Sequence, residues 1–510
     1  IRRSPLLTHS PRGTMANLTL ANINAPGTYI AEQTAGFIPA ELASFNTTYM
    51  IGTATAGDYN TPIQILDGGD FGATEITNKL TSTPSAAAIN LFFRNNPNGV
   101  LYFVRAAAPQ VATLTVGTAG EGDWSITIDG TEITYAAGAG DDLQDIIDGL
   151  ITAINADGDV NTAVVAYDDT AGDGVFKVRG LEIATTFTAT SPTAPGGSTF
   201  TATADSGTAV TDFLWPFGIG AAFDPEDRQG FLIAPEAFQT LDTQSDRTAV
   251  ATAMENLAAS EGFNWMALVD CGPEDVITSH ALALVEGQLY TTAQGHLAYF
   301  APYVKNLDGN LVPPSAAIAG LAVRRYREEG FNQPPAGAKY PIRGVTDVAF
   351  KITRAEQEVG NPLGINAVRN LTNKGVVVWG SRTRSSNQFY RFVNTRIILN
   401  VLIGTLQPAF DSLLFSAVDG QGVLFTRIEQ TIEAICHRLW LGQALYGQTP
   451  ADAFFAKCDA DNNPAIDLEA GVVRADVWVV PVPTMERLLI NVIRTPVGQV
   501  QAVVNDAVGG

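Results

Sequence analysis

The run Asp459-Ala460-Asp461-Asn462-Asn463 is the nearest approach this chain makes to a metal-binding loop. A calcium loop of the EF-hand type needs oxygen ligands at alternate positions, then a glycine for the sharp turn and a closing bidentate glutamate. Those two places hold Pro464 and Ala470. The run therefore reads as a turn rich in side-chain to backbone hydrogen bonds, which Asp and Asn favour. Gly117, Gly120 and Gly122 lack the spacing of a dinucleotide fingerprint and no helix follows them, so they read as hairpin glycines. Arg324-Arg325-Tyr326-Arg327 is followed at once by Glu328-Glu329, which fits a salt-bridged face in solvent or at an interface better than a phosphate site. Cys271, Cys436 and Cys458 are too few and too far apart for a disulfide framework or a zinc site. They read as small buried apolar side chains of a reducing compartment. His9, His280, His296 and His437 show no paired metal-ligand spacing and read as core or surface residues. No catalytic residue, cofactor or metal is expected, and an enzyme is the disfavoured class.

Charge narrows the partners. The net charge is −22, and residues 106–207 hold fifteen Asp/Glu against two Lys/Arg, more than half of that surplus. Such a balance argues against direct nucleic-acid binding, which needs basic patches. It fits either an outward-facing segment that keeps a crowded assembly soluble or a plain acidic surface. The longest apolar stretches, such as residues 316–323, fall well short of the ~20 residues of a membrane span, so no membrane insertion is expected. No secretory signal is visible: no apolar stretch of ~7 residues follows Ile1-Arg2-Arg3 before Met15. The first fourteen residues carry three arginines and no acid. Met15 is therefore expected to be the natural start, with a genuine basic arm as the alternative.

The elements follow from periodicity. Residues 230–235 read as a strand, 245–259 as a helix with Val250, Ala253 and Leu257 on one face, 264–269 as a strand, 277–289 as a helix and 296–304 as extended. That alternation implies right-handed crossovers and a mainly parallel sheet covered on both faces. Residues 112–116, 124–128 and 132–135 alternate like strands, with Asp129-Gly130 as a hairpin turn. Leu143, Ile146, Ile147, Leu150, Ile151 and Ile154 then recur at helical spacing, and 176–178 is extended. The Thr/Ala/Gly/Pro-rich run 185–211 reads as return strand and linker. Near the C-terminus, Ile428, Ile432, Ile435 and Leu439 make a helical stripe, and Thr449-Pro450-Ala451-Asp452 signals a helix start at Pro450. Residues 477–482 and 488–493 read as strands, and 497–504 as a terminal extended arm.

One segment carries more than composition. In residues 361–396, Asn361-Pro362-Leu363-Gly364 is a turn, Lys374-Gly375 is a second turn, and Val376-Val377-Val378-Trp379 is short enough for a buried strand, here expected to be central with Trp379 in the core. This order, followed by a basic segment, resembles the core signature of contractile tail sheath proteins. Ala25-Pro26-Gly27-Thr28-Tyr29-Ile30-Ala31-Glu32 is similar to the first strand of that family, and residues 49–54 with 57–62 to its second strand and loop. Residues 91–95 and 100–105, the Pro313-Pro314-Ser315, Ala319-Gly320 and 333–337 pieces of a long central loop, and 439–459 also fit, in family order. Residues 109–211 find no counterpart and read as an insertion.

The resemblance implies a fold of mixed class, α/β and α+β in several domains: a mainly parallel α/β domain, a C-terminal α+β core domain with exchanged terminal strands, and a small inserted α+β domain. The expected parts are an N-terminal arm (1–24), the sheath domain in two pieces (25–108 and 212–345), the insertion (109–211), the core domain (346–494) and a C-terminal arm (495–510). It further implies a structural subunit that polymerises helically around an inner tube and contracts, with a second copy, an inner tail tube protein, baseplate and tail terminator proteins as partners. Such a chain would reside in a virion tail assembled in the cytoplasm. Strand exchange would involve Asn17, Leu18, Leu20 and Ile23 of one arm, Val497, Val500 and Val503 of the other, and the receiving pair around Val477, Val479, Leu489 and Val492. Trp379, Val377, Ile432 and Leu439 are the expected core. The alternatives are an outer virion or cell-surface binding protein, or the sheath of a non-phage injection system.

Overall fold

The computed structural model describes residues 42–54, 59–65, 84–168, 172–181, 187–205, 209–217, 229–260, 264–411 and 413–490. The stretch 25–32 and both expected arms beyond residue 490 and before residue 42 lie outside them.

In chain order the first piece holds β1 (Phe45–Gly52), β2 (Pro62–Ile65), α1 (Pro84–Asn95) and β3 (Val100–Arg105). The insertion holds β4 (Val111–Thr118), β5 (Gly122–Ile128), β6 (Thr131–Ala137), α2 (Leu143–Ala156), β7 (Val164–Tyr167), β8 (Val175–Gly180), β9 (Ala189–Thr193) and β10 (Thr199–Asp205). There follow α3 (Ala209–Leu214), β11 (Gln229–Ile233), α4 (Pro235–Thr240), α5 (Gln244–Ala259), β12 (Met266–Asp270), α6 (His280–Leu289), β13 (Leu297–Ala301), β14 (Val304–Asn306), β15 (Leu311–Val312) and α7 (Ser315–Glu329). The last stretch holds β16 (Val345–Val348), α8 (Arg354–Gly360), β17 (Ile365–Leu371), β18 (Gly375–Val378), α9 (Val393–Asp411), α10 (Val423–Leu441), α11 (Pro450–Ala453), β19 (Phe454–Lys457), α12 (Ala465–Glu469) and β20 (Asp476–Val479).

The main sheet has eight strands in the order β18-β17-β13-β12-β11-β1-β3-β2. Its six inner strands run parallel, and the edge strands β18 and β2 pair antiparallel. Every residue of β11, β12 and β13 is buried, as continuous apolar runs must be when helices cover both faces of a sheet. Alternate side chains serve opposite cores. Leu232 joins Val250 and Met254 of α5 on one side, while Phe231 lies 6.2 Å from the Tyr326 ring of α7 on the other.

Helix α7 corrects the expectation of a long loop over 313–320. Pro314 stands at its N-cap, and Asp270 at the end of β12 accepts from the Ser315 amide (2.8 Å) and hydroxyl (2.5 Å), which satisfies the helix start. Burial pushes the Asp270 carboxyl up to about 7, against those two hydrogen bonds. Gly320 lets α7 press on α1: a Cβ there would sit 2.6 Å from the Phe92 carbonyl oxygen.

Trp379 requires a second correction. The strand before it is the antiparallel edge strand, not a central one, and Trp379 follows its last residue with 39% exposure. Val376, Val377 and Val378 are buried, on alternate faces of the sheet. A hairpin return at a sheet edge buries its near face but leaves the residue beyond the last rung in solvent.

The insertion encloses a core of its own, with Trp124, Ile126, Ile146, Leu150, Phe176 and Val178 fully buried. Two small sheets, β10-β4-β8-β7 and β6-β5-β9, close around α2. Asp142 caps α2 in a capping box with Asp145. Asp129 (φ 49) and Gly130 (φ 87) form the turn between β5 and β6, both left-handed as a two-residue hairpin of the primed type requires.

Candidate assembly surface

The C-terminal region is built on a helical hairpin. α10 buries Ile432, Ile435, Cys436 and Leu439 toward α9 and the strand β19 that crosses it. Burial, and after it Glu433, push the Cys436 thiol up to about 12, so it packs as an apolar group. Thr449 and Asp452 form the capping box at Pro450, but α11 lasts only four residues before β19 begins. Sequence reading missed β19 because it treated Pro450 as the start of a longer helix. It also missed α9, although Val393, Ile397 and Val401 recur at helical spacing and are all buried.

β19 and β20 pair antiparallel, with Phe455 opposite Trp478 and Ala456 opposite Val477. Among the described residues each strand has a single partner, so each presents one open edge. Ala456 is buried beneath the ribbon. Phe455 (56% exposed) and Trp478 (53%) pack side by side on its outer face, ring centroids 5.4 Å apart and planes tilted by 30°. Val477 and Val479 are half-buried. The oxygen-rich run at 459–463 fixes this ribbon: Asn463 donates to the Arg474 carbonyl (2.9 Å) and accepts from its amide (2.6 Å), and Asn462 donates to Asp476 (2.9 Å).

Beyond β20 the chain follows residues 444–446, with the Val480 amide on Ala453 (2.9 Å) and the Val482 amide on Ala444 (3.0 Å). Pro481 and Pro483 lack amide donors, which ends regular pairing. The strand expected over 488–493 is therefore absent at Leu488, Leu489 and Ile490, and 491–493 lie outside the described residues. Met485, Leu488, Leu489 (84%) and Ile490 are exposed. Of the expected exchange residues, Asn17, Leu18, Leu20, Ile23, Val492, Val497, Val500 and Val503 also lie outside the described residues. The structure thus brings Val477 and Val479 together with β19 and places Leu489 on the surface that follows. Among the expected core residues, Val377, Ile432 and Leu439 are buried, and Trp379 is not.

The Arg324-to-Glu329 cluster sits on the last turns of α7, where Arg325 pairs with Glu329 at 2.8 Å and Arg324 is buried beside the Tyr340 ring at 5.5 Å.

Comparison with known proteins bears on this architecture. Residues 230–384 match the phage tail sheath protein central domain, which runs from β11 through the edge hairpin β17–β18. The tail sheath protein of Vibrio phage KVP40 is 28% identical over 215 residues, 40% of this chain and 30% of the phage protein. The match thus spans under a third of that relative's length. Three cryo-EM assemblies contain chains of similar fold. The sheath complex of an extracellular contractile injection system, PVC, in the contracted state aligns with TM-score 0.56 and 18% identity over 94% of this chain and 99% of that one. The contracted helical sheath of the anti-feeding prophage gives 0.54 and 18% over 93% and 100%. Its baseplate in the contracted state gives 0.58 and 17% over 92% and 99%.

Proposed function

We propose that this chain, a homologue of contractile tail sheath proteins, is a sheath subunit that polymerises helically around an inner tube and shortens to drive that tube through a cell envelope. The carrying observation is the two-stranded ribbon β19–β20, open at both edges among the described residues, beside an exposed apolar stretch that leads into the C-terminal twenty residues. Strand addition to such an edge supplies main-chain hydrogen bonds that survive rigid-body motion of the subunits. At ~1 kcal/mol net each, about four such bonds contribute ~4 kcal/mol per link. Head-to-tail contacts that do not close into a ring generate an open helix.

In this reading the arms of residues 1–24 and 495–510 are given to neighbouring copies, and the ribbon, rather than residues 488–493, receives them. Residues 25–108 with 212–345 and 346–494 form the sheath body, and 109–211 decorate it. The partners are further copies of this chain, an inner tube protein, a baseplate and a terminator. The product is a tail particle with no enzymatic step. A second reading, the sheath of an injection system rather than of a phage, is favoured by the likeness to the PVC and anti-feeding prophage assemblies. Negative-stain microscopy of the purified chain tests the shared claim: striated tubes are expected, and a monomer at high concentration overturns it. Capsid and terminase genes beside the coding sequence would decide for a phage.

A further inference from the structure

Three polar side chains of the 361–396 segment, Asn361, Arg382 and Asn394, converge on one place, the root of the C-terminal arm. Arg382 holds the Glu486 carboxylate through Nε (3.1 and 3.0 Å) and Nη2 (2.5 Å), with side-chain exposures of 7% and 17%. Asn361 donates to the same carboxylate at 3.2 Å. Asn394 accepts from the Thr484 hydroxyl (2.6 Å) and donates to the Val482 carbonyl (3.2 Å). Arg382 is itself tied to the main sheet, because its amide donates to Asn366 of β17 (2.7 Å) and its carbonyl accepts from the Asn366 side chain (2.7 Å). Two residues after Glu486 the side chains are exposed and apolar.

The geometry points to a clasp: Arg382, Asn361 and Asn394 fix residues 482–486 to the sheet, so that load on the arm passes through Glu486 into β17. This rests on the reading that the arm is given to a second copy. A bidentate, charge-assisted pair of low exposure suits the task, since it resists displacement and removal of one partner leaves the other's charge uncompensated. These are positioning residues. Without them the root of the arm would be held, among the described residues, by main-chain bonds alone: the Val480 and Val482 amides donate to Ala453 and Ala444, and the Val480 carbonyl accepts from Tyr446 (2.8 Å).

The test uses the full chain with Glu486→Ala, Glu486→Gln and Arg382→Ala, alone and with Glu486→Ala. Hydrogen exchange at the Val480 and Val482 amides of the unassembled protein reads the clasp itself. Exchange about tenfold faster is expected in each alanine variant, with a smaller rise for Glu486→Gln and no further rise in the double variant. The assembly threshold, read by sedimentation, should rise at least threefold in the same order. Unchanged exchange overturns the clasp, whether or not the wild-type chain assembles. Faster exchange with an unchanged threshold overturns its role in bearing load. A wild-type chain that forms no tubes tells against the sheath reading instead, and exchange then still decides the clasp. If Arg382→Ala fails to fold, the two Glu486 variants carry the test.

Discussion

Between residues 111 and 205 Leu181 is the one described large apolar side chain that is exposed, whereas the region from α9 to Ile490 exposes Phe415, Val423, Phe455, Trp478, Leu488, Leu489 and others. The two regions are close in length and carry opposite surfaces. The insertion is acidic in sequence and apolar inside, with one core closed around α2. The C-terminal region buries the inner stripe of α10 and leaves the outer face of its ribbon apolar. An apolar patch of that kind marks a contact surface, while a charged shell marks a face that stays in water. The difference separates what this chain keeps for itself from what it offers to another.

The contrast is broken most forcefully at the ribbon. Phe455→Glu with Trp478→Glu should abolish tubes in the microscope and leave the circular dichroism spectrum unchanged, because both rings lie on the outer face. Tubes of normal length would show that this face touches nothing. Next in size is Trp124→Ala, which empties the fully buried centre of the insertion and should destabilise that module by about 3–5 kcal/mol. Calorimetry should show the loss in one transition while assembly persists, and a loss spread over the whole chain would mean that the modules fold as one. By contrast, Trp379→Ala at the sheet edge should cost under about 1.5 kcal/mol in urea unfolding, since its side chain is partly in solvent. Smallest of all is the effect of deleting residues 109–211: tubes should still form, and insoluble protein would place the insertion within the structural body.

Local patterns were readable wherever one face of an element decides its fate. The α2 stripe, the Asp129-Gly130 turn and the α10 stripe fall where their spacing put them, because a period of 3.6 or a left-handed dipeptide needs no knowledge of neighbours. Trp379 failed for the opposite reason. Whether Val376-Val377-Val378 is central or at an edge depends on what lies beyond it, and an apolar run reads alike in both settings. Helix α7 was obscured by its small residues, Ala316, Ala317, Ala319, Gly320 and Ala322, chosen for close contact with α1 rather than for amphipathicity. At the assembly surface the capping box at Thr449 was legible, but β19 was not, since four residues carry too short a period to announce a strand. The clasp was invisible, because the separation of Arg382 from Glu486 is fixed only by tertiary structure.

The most direct measurement is truncation after Thr495. It removes the expected arm and spares the ribbon, the clasp and every described residue. Circular dichroism should show a folded chain with wild-type melting, and sedimentation should show a monomer at concentrations where the full chain forms tubes. Normal tubes from the truncated chain would contradict strand exchange through this arm, and a chain that fails to fold would show that the arm completes its own subunit.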